Sequence, residues 1–297
     1  MVIVKVMGGL GNQMFQYALA KRLEYEGRET RLDYSYFSEI PTGDTVRKNF
    51  LTEYGSDIAE ATEKDIKKIK GEQTFLSKIL CRAGIKKRQI LVENEQRFYP
   101  EVFFKDPVYL IGYWQSPDYF TGVENALRKQ FNFLNRVKRR EDKELLEKIR
   151  AAEHSVSIHV RGGDYLKAEN AGVFGGICTK EYYGGAIKYI EESIGQCQFF
   201  VFTNDVALAE KVFPIEEGQC TIIEEDTARE AYVDLCLMSQ CKYNIIANST
   251  FSWWGAWLNE HQPQIVVAPE KWSHVREGKS LYPKSWILCD QEGHISQ

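Results

Sequence analysis

Apolar residues follow two rhythms along this chain. Short β-branched runs alternate with longer segments in which apolar side chains recur every three or four positions, the mark of strands followed by helices. Residues 2–6 form the first run, apolar except at Lys5, and Gly8-Gly9-Leu10-Gly11 ends it. Asn12 can cap the segment beyond, where Phe15, Ala18, Leu19 and Leu23 share one helical face. Residues 30–34 read as a second strand. This β-α-β start predicts a parallel sheet.

Between residues 40 and 95 the rhythm weakens. Residues 60–70 and 73–88 predict charged helices that carry Lys67, Lys68, Lys86, Lys87 and Arg88. A solvated face is the ordinary meaning of such charge, and contact with anionic lipid or a lipid-linked acceptor is the alternative. Residues 108–113 predict a strand. Ser116-Pro117-Asp118 opens a helix with Pro117 in its first turn. The charge-dense stretch 135–150 predicts a long helix, and the domain boundary is placed after it, giving domains 1–152 and 153–297. In the second half, strands are expected at 155–160, 198–203, 220–223, 243–247 and 264–268. Helices are expected at 179–193, 205–212, 228–239 and 252–259. That alternation predicts a doubly wound α/β domain, which binds ligands beyond the carboxyl ends of its strands.

Composition narrows the function classes. The 297 residues suffice for one large or two ordinary domains, and 43% hydrophobic with 27% charged residues is a folding composition. With 38 basic against 42 acidic residues the formal charge is −4, so the chain lacks the strong basic field that nucleic acid requires. Residues 1–7 meet glycines at once and have neither a basic flank nor a cleavage site, so no signal peptide is expected. No apolar stretch is long enough to predict a transmembrane segment. The seven cysteines are odd in number and contain no Cys-x-x-Cys pair. They read as reduced thiols in the cytoplasm, with membrane contact at most peripheral.

Four segments carry candidate chemistry. Glycines 8, 9 and 11 end a strand, where a backbone can approach a ligand and a helix start attracts negative charge. They fit a structural turn. They also fit the first half of a dinucleotide fingerprint with Asp33 as its ribose-binding acid, but Met14 stands where the third glycine belongs. The polar pair Asn12-Gln13 asks for a further role. In Ser157-Ile158-His159-Val160-Arg161-Gly162-Gly163-Asp164-Tyr165 an apolar strand ends in an arginine whose fork matches a diphosphate, or which ties down a loop through Asp164. Phe202-Thr203-Asn204-Asp205 ends another strand in an acid that reads guanine or caps the next helix. In Asn248-Ser249-Thr250-Phe251-Ser252 a hydroxyl-rich turn enters a tryptophan-rich helix. Such a turn caps the helix, holds a phosphate or does both, while Trp254 and Trp257 are expected in the core.

Together the segments resemble the α-1,2-fucosyltransferase family, above all its bacterial members. GGLGNQMFQYA at 8–18 and NSTFSWWGAWL at 248–258 match long family motifs. HVRGGDY at 159–165, FTND at 202–205 and GYWQSPDYF at 112–120 are similar to shorter ones. One departure is Gly162, where the family often carries a second arginine. The resemblance implies an α/β fold of GT-B type, with two facing Rossmann-like domains and parallel sheets. It implies inverting transfer from GDP-fucose to a galactose-terminated acceptor of a surface glycan, without metal or cofactor. Arg161 and Asn12 are then the catalytic candidates. His159, Asp164, Asp205, Asn248, Ser249, Thr250, Phe251 and Ser252 are donor-binding candidates, and Gln13, Tyr113 and Trp114 lie on the acceptor side. The general base is unassigned.

No Asp-x-Asp metal pair occurs; Glu63-x-Asp65 and Glu224-Glu225-Asp226 are the nearest substitutes. Two rival functions are an NAD-dependent oxidoreductase built on Gly9, Gly11 and Asp33, and a sugar-binding protein without catalysis.

Overall fold

The computed structural model describes residues 1–38, 47–71, 89–94, 98–162, 168–212, 218–226, 228–277 and 280–296. The chain forms two compact units, Met1–Leu127 and Arg128–Gln297. Both are α/β units with Rossmann-like parallel sheets.

The first unit is built on β1 (Val2–Lys5), β2 (Thr30–Asp33), β3 (Ile90–Val92) and β4 (Val108–Ile111), parallel throughout in the order β2-β1-β4-β3. Helix α1 (Leu10–Tyr25) joins β1 to β2 and buries Met14, Phe15, Ala18, Leu19 and Leu23, the face that the spacing predicts. It begins earlier than expected. Gly9 is its N-cap, with no side-chain cap, so Asn12 lies inside the first turn and does not cap it. Short α2 (Phe50–Tyr54) is capped by Asn49 and stopped by left-handed Gly55. Helix α3 (Glu63–Lys70) starts behind a Thr62–Asp65 capping box, which satisfies two otherwise orphaned amides and so shortens the expected 60–70 helix. Ile69 from α3 packs with Ile3 and Tyr109. The helix expected at 73–88, with Lys86, Lys87 and Arg88, lies outside the described residues. The expected helix at Pro117 is a single 3-10 turn, Pro117–Phe120, followed by α4 (Glu124–Gln130).

The second unit opens with α5 (Arg140–Ala151). The charge of this stretch suggested a link ending near 152, yet residues 128–151 fall within the second unit. Buried Leu146 and Ile149 anchor α5, Asp142 reaches Arg229 at 3.3 Å, and Arg139 reaches Asp226 at 2.6 Å. Then come β5 (Ser155–Val160), α6 (Ala168–Phe174), α7 (Lys180–Ile194), β6 (Gln198–Thr203), α8 (Val206–Val212), β7 (Cys220–Glu224), α9 (Ala231–Gln240), β8 (Tyr243–Ile245), α10 (Thr250–Trp257) and β9 (Val266–Pro269). A small hairpin, β10 (Lys271–Ser273) with β11 (Arg276–Glu277), precedes β12 (Ile287–Cys289) and β13 (Ile295–Ser296). The sheet order is β13-β12-β9-β8-β5-β6-β7, parallel except for β12 with β13.

Strands β5 and β6 are buried along nearly their whole length, and continuous apolar runs are how strands covered on both faces are written. Their core includes Ile158, Val201, Tyr182, Ile190, Ile245 and Val267. Tyr182 donates to the carbonyl of Ile246 at 2.6 Å, so even its polar tip is satisfied inside. Among the described residues no helix is long and apolar enough to cross a membrane.

Candidate functional site

Each sheet is wound outward from one strand in two directions. In the second unit the chain runs β5, β6, β7 towards one edge, then resumes with β8 on the other flank of β5 and proceeds to β9. Connections leaving β5 and β8 therefore part, and the carboxyl ends between them form the crevice where such sheets bind ligands. In the first unit β2 lies on one side of β1 and β4 on the other, which makes β1/β4 the corresponding place.

Three of the motif segments end on adjacent strands of the second unit, β6, β5 and β8. His159 lies in the last turn of buried strand, 5% exposed. Tyr183 donates to its carbonyl at 2.9 Å, and its ring stands 5.8 Å from that of Phe251 at the head of α10. Burial, with Arg161 nearby, pushes the imidazole from its ordinary 6.5 down to about 3. His159 is thus neutral at physiological pH, and among the described residues its Nδ1 has no hydrogen-bond partner.

Arg161 follows the strand, and the Gly162 amide donates to Asn204 Oδ1 at 2.9 Å, tying the loop after β5 to the loop after β6. Asp205 uses one oxygen to cap α8, accepting from Leu208 N at 3.0 Å. Its other oxygen lies against Gly162: a Cβ there would stand 2.8 Å from Asp205 Oδ2 and 2.7 Å from Asp205 Cβ. A side chain at 162 would therefore fit only if Asp205 shifted. Asp164 lies outside the described residues.

At the start of α10, Ser249 is the N-cap and accepts from Phe251 N at 3.4 Å. Thr250 and Phe251 are half-buried beside it. Two expected donor contacts are turned inward instead. Ser252, 2% exposed, donates back to the carbonyls of Ala247 and Ser249. Asn248 donates to the carbonyls of Phe174 and Trp272 at 3.1 and 3.0 Å, which holds the turn from behind. Trp254 and Trp257 are core residues, and Trp254 meets Phe131 edge-on at 5.5 Å.

In the first unit, Gly8 has φ +81°, and a Cβ there would stand 2.9 Å from Asn12 Nδ2 and 3.3 Å from Tyr113 Cε1. Only glycine lets Asn12 and half-exposed Tyr113 converge over the end of β1. Asn12 Oδ1 accepts from Gln115 Nε2 at 3.0 Å. Gln13 does not reach the surface: its amide donates to the carbonyls of Gly8 and Lys48, and its oxygen accepts from Phe50 N. Trp114 is fully buried between the edges of Tyr99 and Tyr119, so it is core and not an acceptor contact.

Glu93, which no motif flagged, accepts the amides of Tyr113 and Trp114 at 2.7 and 3.0 Å and stabilises the turn in which Trp114 adopts φ +55°. Its partners lie 20 and 21 residues away in sequence, so local pattern carries no sign of it. Gln16, inside the first motif, joins Met7 N to the carbonyl of Gly112.

The dinucleotide reading loses its acid. Asp33 is buried and accepts from Ser35 N and the Tyr109 hydroxyl, which leaves it no access to a ribose. The substitutes for a metal pair are committed as well. Asp65 serves the capping box and Arg31, and Asp226 accepts from Arg139 and Ala228 N. Among the described residues no group of three His, Cys, Asp or Glu is placed to hold a metal.

The family model described as glycosyl transferase family 11 matches residues 1–290. An O-antigen biosynthesis glycosyltransferase of Escherichia coli, WbnK, is 32% identical over 94% of this chain and 97% of its own length. An alpha-1,2-colitosyltransferase of Escherichia coli is 33% identical over 98% and 99%. Galactoside alpha-(1,2)-fucosyltransferase 1 of Homo sapiens is 24% identical over 52% of this chain and 44% of that protein.

Two predictions follow from the geometry of the second unit. Gly162→Ala should destabilise the protein by about 1–3 kcal/mol through overpacking. In urea titrations Asp205→Gly, which removes the Cβ that would lie 2.7 Å away as well as the carboxylate, should absorb much of that loss, and strict additivity of the two substitutions would contradict the steric account.

The second concerns acid. Because the folded His159 titrates about 3 and the unfolded one near 6.5, the unfolded chain binds the extra proton between those values. Stability from this group is complete above pH 6.5 and falls as pH drops towards 3, with a slope approaching ~1.4 kcal/mol per pH unit. His159→Gln should flatten the acid limb in pH-dependent denaturation, and an unchanged limb would refute the neutral buried imidazole.

Proposed function

Because the chain belongs to glycosyl transferase family 11, we propose that it transfers L-fucose from GDP-fucose to the 2-hydroxyl of a terminal galactose on a surface glycan, with inversion and without a metal or cofactor. The observation that carries this reading is the convergence of Arg161, Asp205 and the Ser249-capped head of α10 on the carboxyl ends of adjacent strands β5, β6 and β8.

Breaking a sugar–phosphate bond builds positive charge on the ring and negative charge on the leaving diphosphate. Donors aimed at the leaving charge are the strongest lever a protein has here. Arg161 supplies a fork for two phosphate oxygens, and the first-turn amides of α10 with the Thr250 hydroxyl supply the rest. Neutral His159 adds no charge beside Arg161 and offers a nitrogen to the nucleoside. The carboxylate of Asp205 is the group assigned to guanine. In the first unit Tyr113 presents a face on which an acceptor sugar can stack, and Asn12 orients the reacting groups. In an oxocarbenium-like step the acceptor proton leaves late, to the departing phosphate, so no strong base is demanded.

The human relative's name supports fucose and galactose, while the colitosyltransferase carries the same 1,2 linkage with another sugar. Colitose is therefore the second donor to be weighed. The decisive experiment incubates the protein with GDP-fucose or GDP-colitose and a panel of galactose-terminated oligosaccharides, with and without excess EDTA. A 1,2-linked fucosylated product, unchanged by EDTA, is expected. Preference for GDP-colitose would replace the donor, and loss of turnover in EDTA restored by manganese would end the metal-free reading.

Arg161→Ala should lower turnover roughly a hundred- to a thousandfold with circular dichroism unchanged. Arg161→Lys should recover only part of it, because an ammonium cannot reproduce the fork. A folded alanine variant with normal turnover would remove Arg161 from the mechanism.

A further inference from the structure

A carboxamide has two unlike ends, an oxygen that accepts and an NH2 that donates, and a half-turn about its last bond exchanges them. At Asn12 that choice is made by another residue. Gln115, 8% exposed, donates from Nε2 to Asn12 Oδ1 at 3.0 Å. Among the described residues no acceptor meets Asn12 Nδ2, which lies over the Gly8 turn where a Cβ would come within 2.9 Å of it. The backbone that carries Gln115 is itself held in place. It follows Trp114, whose amide is taken by Glu93 and whose ring is wedged between Tyr99 and Tyr119, and Ser116 N closes the turn onto the Trp114 carbonyl at 2.9 Å.

We propose that Gln115 is a positioning residue that holds Asn12 with its NH2 facing outward at the end of β1, so that Asn12 acts on substrate as a hydrogen-bond donor. A donor there suits an oxygen that carries or gains negative charge, and it cannot remove a proton from the acceptor hydroxyl. The role in catalysis rests on the transferase reading above; the orientation does not.

Two substitutions separate orientation from mere packing. Asn12→Asp keeps an oxygen for Gln115 and replaces the outward NH2 by a second oxygen. Gln115→Glu removes the inner donor, so the Asn12 carboxamide turns over and buries its NH2 against the new carboxylate. Both side chains are nearly isosteric with the originals. Asn12→Asp is expected to lower kcat roughly a hundredfold, and Gln115→Glu at least tenfold, with GDP affinity by calorimetry within about twofold of the parent. Gln115→Asn, a shorter donor, should recover part of the loss. A purely structural role predicts parallel loss of stability and GDP affinity and no difference between Gln115→Glu and Gln115→Asn.

The orientation is read without turnover from the Asn12 side-chain amide signals of protein labelled with 15N-asparagine, identified by their loss in Asn12→Ala. Those protons should exchange rapidly with water in the parent and become protected in Gln115→Glu. Protected parent protons, or Asn12→Asp turning over normally, would overturn the proposal. Rapid exchange in a protein that transfers from neither GDP-fucose nor GDP-colitose would leave the orientation standing and sink the transferase reading.

Discussion

A parallel strand can be followed by its neighbour only through a crossover, and a sheet extended from both flanks of one strand has a single place where successive crossovers part. The rest of this protein depends on that constraint. Between β5 and β8 it opens the carboxyl ends that carry Arg161 and the head of α10, and between β1 and β4 it does the same for Asn12 and Tyr113. Segments separated by 42 to 103 residues in the chain reach neighbouring strand ends for this reason alone. Loops there are free to carry polar groups because the strands beneath them, buried on both faces, supply the stability.

Keeping such loops in one shape falls to buried polar side chains. Gln13, Gln16 and Asn248 each bridge main-chain groups that would otherwise be unsatisfied, and Glu93 does so for two consecutive amides. An unsatisfied buried amide costs about 1–3 kcal/mol, more than most single packing contacts contribute, so these residues hold turns that glycine alone would leave loose. Functional motifs in this chain consequently mix two kinds of residue. Some stay partly exposed, as Asn12, Thr250 and Phe251 do, and others are buried and fix the first kind, as Gln13 and Ser252 do.

The electrostatics of the second unit follow the same economy. Desolvation, with the Arg161 charge nearby, keeps His159 uncharged there. Gly162 leaves room for Asp205 to lie against the same loop, so the strand ends of β5 and β6 pack as one.

Much of this was legible in the residues themselves. Strands at 155–160 and 198–203 were expected with the bounds observed, because fully buried parallel strands are written as unbroken apolar runs between turn residues. The α/β class, the family and the segments that meet at the strand ends were likewise readable, since glycine turns and strand-to-helix transitions are local features. Tertiary structure alone decided which way each polar side chain faces. Gln13 and Asn12 are neighbours with similar chemistry, and only the positions of Lys48, Phe50 and Gln115 turn one inward and direct the other out. Trp114 was expected on the acceptor side, yet Tyr99 and Tyr119 enclose it, and Asp33, which fits a ribose ligand by spacing, is taken by Tyr109. A hydrogen bond is settled by the partner that arrives, and those partners arrive from 20 to 103 residues away, beyond the reach of any local pattern.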